Sequence, residues 1–487
     1  MPGLNNDVLL EVMAASSTKA RARLMATSRA LYSHGARHLL RETPYIHTEQ
    51  QLLSFLAFLS AHPDRCSKFL REIELSDFVW SSPACVQLAE VLSRVSGLQC
   101  LTLNGKRCGT GPTSIQIPAW GAISSLQELR LCNAYETCLD LLRQHRSPLK
   151  RVVVDCPPNF DECFFYDLPD DDDWTAYHPV HVLQHLAPTL EELRTTGWCT
   201  HPEVEPDPDI VYPRLRTLAM RDASLPLTLS LIRAYPNLEH LSFNMRHAFP
   251  DEIEEYRLWN LNAQFLAGRT WRHLRAFEGD LVDLYVLGLA CTIERVTLRL
   301  PPRHRDWPGV ELLTPVLAEA RPRHLELDGW PGDVRGPRGD GKFAVFTGEC
   351  AALLETLTIE GPLWGMEHVD VDVRAVLEDL LASLAHSPLR HFALHIYTEH
   401  IDPTSGEKPG PPLGAAEQAA RDLDVEATLG RFVAGIPTLR TAVLSVQVPR
   451  DRLRTQRAVL EDGSVSFEEE REELWNGPCP AAVFLDS

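Results

Sequence analysis

The sequence predicts an α/β protein: a small N-terminal helical unit, then an irregular repeat solenoid with a curved parallel sheet and outer helices. Three observations carry this. A six-residue pattern recurs along the chain: leucine or a relative, two variable residues, an apolar residue, one variable residue and another apolar residue. Segments with helical spacing of apolar residues separate the copies. The first 42 residues lack the hexad and read as two or three short helices joined by a small-residue turn.

In the N-terminal unit, Leu4, Val8, Leu9, Val12 and Met13 recur at spacings of three to five and share one helix side, with Asp7 and Glu11 on the polar side. Thr18 to Met25 and Ser28 to Ser33 form the following helical stretch. A unit this small cannot close its own core, so it must dock on the rest of the chain or on another protein.

The repeat follows. Clear copies begin at Leu70, Leu98, Leu126, Leu149, Leu215, Leu238, Ile293, Leu354 and Leu389, and imperfect ones at Leu190, Leu274, Pro322 and Leu439. The last two apolar positions lie two apart and face inward, because side chains alternate across a strand. Three buried aliphatics supply roughly 5 to 9 kcal/mol per copy. Ordering some 25 residues costs roughly 1 to 2 kcal/mol each, so a copy holds only by stacking on its neighbours. Helical segments are expected at Ala84 to Val95, Cys138 to His145, Leu258 to Leu266, Val373 to Ala385 and Glu417 to Val433. Prolines at 148, 188, 236, 388 and 437 stop the preceding element just before the next strand.

The hexads resemble the leucine-rich repeat, whose unit is a short strand and a helical or irregular return. Copies lie 19 to 50 residues apart without a regular Asn or Cys ladder behind them, which implies a looser arc than a short horseshoe. The N-terminal stretch resembles an F-box: Leu4, Asp7, Val8, Leu9, Leu10, Glu11 and Val12 match its first helix, and Ser28-Arg29 with Leu31-Tyr32 its end. Asn5 stands where the family has proline and Thr27 where it has an aliphatic residue. The expected organisation is an F-box-like helical unit at 1–45, an irregular solenoid at 46–460 and an acidic cap or tail at 461–487.

Composition narrows the function classes. A net charge of −20 argues against nucleic-acid binding, which depends on neutralising phosphates with lysine and arginine. The longest apolar patches fall short of the roughly 18 residues that span a bilayer, and no basic-then-apolar leader opens the chain. The expected location is cytoplasmic and/or nuclear, with no membrane partner, and the 12 scattered cysteines act as small buried hydrophobes in a reducing compartment. The four aspartates within Asp167 to Trp174, and the Gly- and Pro-rich stretches Pro331 to Lys342 and Asp402 to Gly414, read as surface loops. Arg338-Gly339-Asp340 in one of these is taken as coincidence.

Sequence marks of chemistry are few. No nucleophile-elbow, dinucleotide-binding or phosphate-loop glycine pattern occurs, and no cofactor or enzymatic activity is expected. His178, His181 and His185, with Cys199 and His201 downstream, form the best metal candidate, since His181 and His185 can share a helix face. The glutamate that would act as general base between paired histidines is missing, and no metal site is assigned.

The resemblance implies a substrate-recognition adaptor of an SCF-type E3 ubiquitin ligase. Leu4, Val8, Leu9, Val12, Leu24 and Leu31 would dock on a Skp-type adaptor and, through it, a cullin. Strand residues flanking the middle apolar position would meet an unknown protein substrate: Glu72, Glu74, Glu128, Arg130, Arg151, Glu192, Arg194, His240, Arg295, Glu326 and His391. Two other readings stay open: a repeat scaffold without a ligase link, its N-terminal helices capping the solenoid, and a metal-dependent enzyme built around His181 and His185.

Overall fold

The computed structural model describes residues 6–61, 66, 68–76, 82–104, 123–157, 174–198, 205–223, 227–245, 252–300, 309–332, 334, 343–348, 351–363, 371–398, 414–448, 454–461 and 464–469. They belong to two compact units, Met1–Ala248 and Phe249–Ser487. The segment expected as one solenoid body, 46–460, is thus divided between them.

The first unit opens with α1 (Asn6–Ala14), α2 (Thr18–Met25) and α3 (Arg29–Leu39). Ser28 starts α3 as its N-cap, its hydroxyl accepting from the Leu31 amide at 3.1 Å. Met13, Met25 and Leu31 are buried against one another, and Leu9, Leu10, Leu24, Leu39 and Phe58 pack around them. Gly35 permits this approach: a Cβ there would lie 2.5 Å from Met25 Cγ and 2.9 Å from Met13 Sδ. The chain continues through β1 (Tyr45–Ile46), α4 (Glu49–Ala61), β2 (Glu72–Ser76), α5 (Ser82–Ser93), β3 (Cys100–Asn104) and β4 (Glu128–Cys132). Then come α6 (Glu136–Gln144), β5 (Arg151–Asp155), α7 (Pro179–Val182), β6 (Glu192–Thr196), β7 (Thr217–Ala223), α8 (Thr228–Ala234) and β8 (His240–Met245).

Strands β1 to β8 pair in chain order, all parallel. Register stacks the hexads: Ile73, Leu101, Leu129, Val152, Leu193, Leu218 and Leu241 form one buried row. The neighbouring row runs Leu75, Leu103, Leu131, Val154, Thr195, Met220 and Phe243. Thr195 is the exception in it: a buried threonine whose Oγ1 has no hydrogen-bond partner among the described residues.

The second unit holds α9 (Ile253–Ala267), β9 (Ala276–Asp280), α10 (Leu281–Leu287), β10 (Arg295–Arg299), α11 (Leu313–Ala320), β11 (His324–Asp328) and β12 (Thr356–Pro362). It continues with α12 (Val373–Leu384), β13 (His391–Tyr397), α13 (Ala415–Arg421), α14 (Val425–Gly435), β14 (Thr441–Gln447), β15 (Arg454–Glu461) and β16 (Ser464–Glu469). Strands β9 to β14 pair in parallel, and β15 and β16 add to β14 antiparallel. Phe277, Val296, Leu325, Leu357, Phe392 and Ala442 form its buried row.

The hexads and strands coincide. Each of β2 to β14 starts on the third residue of a hexad, the four imperfect copies included. Three expectations need correction. The single helix expected over Glu417 to Val433 is two, because Asp424 caps a new one, accepting from the Ala427 amide at 2.9 Å. The sheet is not parallel throughout: Glu461, the expected start of an acidic tail, ends β15, and Ser464–Glu469 form β16. Finally, α9 turns its polar face inward: Arg257, Asn260 and Gln264 are buried, while Leu258, Trp259, Phe265 and Leu266 are exposed.

Candidate interaction surfaces

The N-terminal helical unit is held by an interaction invisible in the hydrophobic pattern. Arg21 is buried, and its guanidinium donates to the carbonyls of Met13 at 3.0 Å, His38 at 3.1 Å and Ala14 at 3.2 Å. It thereby fastens carbonyls at the last turns of α1 and α3, which have no partner inside their own helices. Glu42 pairs with Arg21 at 2.7 Å and accepts from the Thr18 hydroxyl at 2.8 Å. Those contacts, the Thr18 bond first, hold its carboxyl below the ordinary glutamate range.

With the unit locked in this way, the adaptor-facing residues expected from sequence separate into classes. Val8 and Val12 are 46% and 48% exposed on one side of α1. Leu9 and Leu24 are half-buried against the methionine cluster. Leu31 is a correction: it lies inside that cluster, sealed by Met13 and Met25, and offers nothing to a second chain in this conformation. Leu4 lies outside the described residues. Completing the burial of two half-exposed valines supplies roughly 2 kcal/mol, so a docking partner must also reach the half-buried leucines.

The strand residues expected to meet a substrate do lie on the solvent side of the sheet in each unit. In the first unit, register places Glu128, Arg151 and Glu192 side by side on β4, β5 and β6. Arg151 pairs with Glu192 at 2.6 Å and with Glu128 at 3.6 Å. Arg130 closes on Glu128 and Arg194 on Glu192, both at 2.5 Å. Five of the expected residues therefore form one chain of alternating charge, three arginines to two glutamates, satisfied within the molecule. Their charges are largely matched before any partner arrives, and the network fixes side chains more than it attracts. Glu72 and His240 are exposed at the ends of the same row, and Glu74 is half-exposed in the row of Arg130, two strands away.

In the second unit Arg295, Glu326 and His391 are exposed on β10, β11 and β13. Glu326 accepts from the Thr297 hydroxyl at 3.5 Å, and His391 Nδ1 lies 2.8 Å from Thr441 Oγ1. Sequence reasoning missed the row beside them. Register sets Asp280, Arg299, Asp328, Glu360 and His395 in line across β9 to β13. Arg299 pairs with Asp280 at 2.9 Å, and Tyr397 donates to Asp328 at 3.3 Å. Burial, then repulsion from Asp328 and Glu326, pushes the Glu360 carboxyl up to about 7, and burial raises Asp328 as well. Glu360 therefore changes between hydrogen-bond donor and acceptor near neutral pH. The only sequence sign of this row was an acidic residue just past the hexads that begin at Leu274, Pro322 and Leu354.

The histidine cluster is not arranged as the metal reading requires. Helix α7 ends at Val182, and His185 falls in a following 3₁₀ turn, so His181 and His185 do not share a helix face. His178 Nδ1 accepts from the Val180 amide at 3.2 Å, and His181 Nε2 from the Asp207 amide at 3.2 Å. Cys199 and His201 lie outside the described residues. Among the described residues no group of three or more His, Cys, Asp or Glu side chains could hold a metal. The buried histidine that sequence reasoning passed over is His145, whose two ring nitrogens have no partner among the described residues. Burial, then the neighbouring His185, pushes it down to about 4.

Burial also pushes the thiols of Cys100, Cys132 and Cys291 up to about 11, so none of the three is a thiolate at neutral pH. No helix among the described residues is long and apolar enough to cross a membrane. Most of the Asp167 to Trp174 loop, the Arg338-Gly339-Asp340 tripeptide and residues 402–413 lie outside the described residues. Comparison with protein-family models found no match, and comparison with curated proteins found none either. The functional reading therefore rests on the surfaces above.

Proposed function

We propose that the protein is the substrate-recognition adaptor of an SCF-type ubiquitin ligase, its N-terminal helices docking on a Skp-type adaptor and its strand face holding a protein substrate. The observation that carries this reading is the division of labour in α1. Met13 anchors the helix in its own small core, while Val8 and Val12 stand half-exposed with Leu9 beside them. A helix used only as an internal cap would turn its aliphatic side inward. On this reading the chain performs no bond chemistry; it brings a substrate to the ligase, and helix-mediated apolar contact supplies the affinity.

Val8→Asp/Val12→Asp tests it, because both side chains are nearly half-exposed and their replacement spares the Met13 cluster. The expected result is loss of co-purification with a Skp-type adaptor at unchanged melting temperature. Retained binding removes the F-box assignment. Leu9→Asp is the poorer variant, since Leu9 packs on the methionine cluster and its loss would confound folding with docking.

A second reading has its own observation. Phe58 of α4 packs on the Met13, Met25 and Leu31 cluster, and Tyr32 meets Phe58 edge-on at 6.4 Å, so the helical unit is joined to the segment that follows it. That contact suits a capped repeat scaffold with no ligase link, the outcome favoured if the double valine variant captures every partner of the unaltered chain.

A further inference from the structure

Helix α9 carries its hydrophobicity on the wrong side for a helix covering a core. Arg257, Asn260 and Gln264 recur at spacings of three and four and face inward. There they serve the backbone of the next helix. Arg257 donates to the Tyr285 carbonyl at 2.7 Å, Asn260 to that of Val286 at 2.9 Å, and Gln264 to that of Gly288 at 2.7 Å. These carbonyls belong to the last turn and C-cap of α10, where intrahelical partners run out; that of Tyr285 also accepts from the Gly288 amide at 3.1 Å. The Arg257 guanidinium also lies over the Tyr285 ring, 4.1 Å from its centre, and pairs with Glu319 of α11. The inward orientation is therefore over-determined, and α9 cannot roll over to bury its other side.

That other side is apolar. Leu258, Trp259, Phe265 and Leu266 are 50%, 47%, 84% and 83% exposed, and with Asn262 between them they fall on a single stripe opposite Arg257, Asn260 and Gln264. Large side chains left this bare over two turns mark an interaction face. The stripe is polarised: exposed Glu252 and Glu255 stand at its start, and exposed Arg269 and Arg272 lie just past Gly268 at its end.

We propose that this stripe is the interface with a second copy of the same chain, the two α9 helices crossing antiparallel about a two-fold axis at Asn262. The arrangement is self-complementary. Leu258 of one copy meets Leu266 of the other, Trp259 meets Phe265, the two Asn262 amides face each other, and Glu255 lies against Arg269. A parallel pairing would set Glu255 on Glu255, and a single-signed ligand would leave one end of the stripe unmatched. Four large side chains and their charged rims bury roughly 900 Å² in total, at the small end of specific interfaces, so the dimer forms in the micromolar range. This inference stands independently of the adaptor reading.

Sedimentation equilibrium of the full chain near physiological ionic strength tests it, up to roughly 100 µM, well above the dissociation constant expected for an interface of this size. A monomer–dimer equilibrium is expected, abolished by Trp259→Glu/Phe265→Glu at unchanged circular dichroism. Glu255→Arg alone and Arg269→Glu alone should each weaken self-association about tenfold. Mixing those two variants, or combining both changes in one chain, restores it, because each arginine again meets a glutamate. A wild-type chain monomeric throughout overturns the proposal, as does a dimer indifferent to the loss of Trp259 and Phe265. Failure of the charge exchange to restore pairing overturns the antiparallel register. If the chain stays monomeric alone but binds a lipid vesicle or a foreign helix through this stripe, the second-copy assignment is overturned in favour of that occupant.

Discussion

Removing the donors of Arg21 while keeping its aliphatic stem, as Arg21→Met does, should open the N-terminal helical unit and leave the repeats folded. The guanidinium is buried, and three carbonyls, those of Met13, Ala14 and His38, accept from it at 3.0 to 3.2 Å. Hydrogen bonds from a charged donor are worth roughly 1.5 to 3 kcal/mol each, but three from one side chain do not add; breaking a buried charged network as a whole costs about 3 to 5 kcal/mol. The loss falls on helices of 8 to 11 residues that have little stability of their own. Amide hydrogen exchange read by peptide mass spectrometry resolves this locally. Every 1.4 kcal/mol is about a factor of ten, so amides of α1 and α3 should exchange at least roughly 100-fold faster, with protection in β2 to β14 unchanged. Glu42→Gln is the internal control: Glu42 is exposed and screened by solvent, and its replacement should alter protection little. If Arg21→Met shifts exchange in α1 and α3 less than roughly threefold, the helices are held by Met13, Met25 and Leu31 alone, and the Arg21 contacts are incidental.

Two further outcomes follow from buried groups. Thr195→Val removes a buried hydroxyl without a partner and completes the aliphatic row between Val154 and Met220, so it should raise the urea midpoint by the equivalent of about 1 kcal/mol; a lower midpoint would mean that the hydroxyl is satisfied. His145 sits at about 4 in the folded protein against 6.5 in the unfolded chain. Between those values the unfolded chain binds a proton that the folded one refuses, so stability is lost as pH falls from 6.5 towards 4, by about 2 kcal/mol at pH 5 for this one group. His178, also lowered to about 4 by burial, acts in the same direction. His145→Phe should therefore flatten the dependence of the urea midpoint on pH between 7 and 5, and an unchanged slope would show that His145 is already hydrated.

The strands were legible residue by residue. A hexad fixes its own strand because alternation of side chains is local, and Leu126, Leu129 and Leu131 declare one burial face without reference to any distant segment. Even the imperfect copies at Leu190 and Leu439 start β6 and β14 where the pattern sets them. The antiparallel pair β15 and β16 was not legible, since its residues follow no hexad and pairing alone defines it.

Surfaces were decided elsewhere. Glu128, Arg151 and Glu192 are 23 to 64 positions apart, and nothing local says that they join; the parallel register of β4, β5 and β6 brings them together and neutralises what had read as a substrate-seeking face. Leu31 looked like its exposed neighbours because a helical pattern ranks residues by polarity and cannot say which apolar side chain a methionine from another helix will cover. Polarity misled outright in α9, where the carbonyls at the end of α10 draw Arg257, Asn260 and Gln264 inward and leave Trp259 and Phe265 in solvent. The sequence alone determined where β2 to β14 begin, because those preferences are settled within a few residues. Which faces stay bare for partners was decided by tertiary structure, because hydrogen-bonding needs at one helix end are met by side chains some 25 residues away.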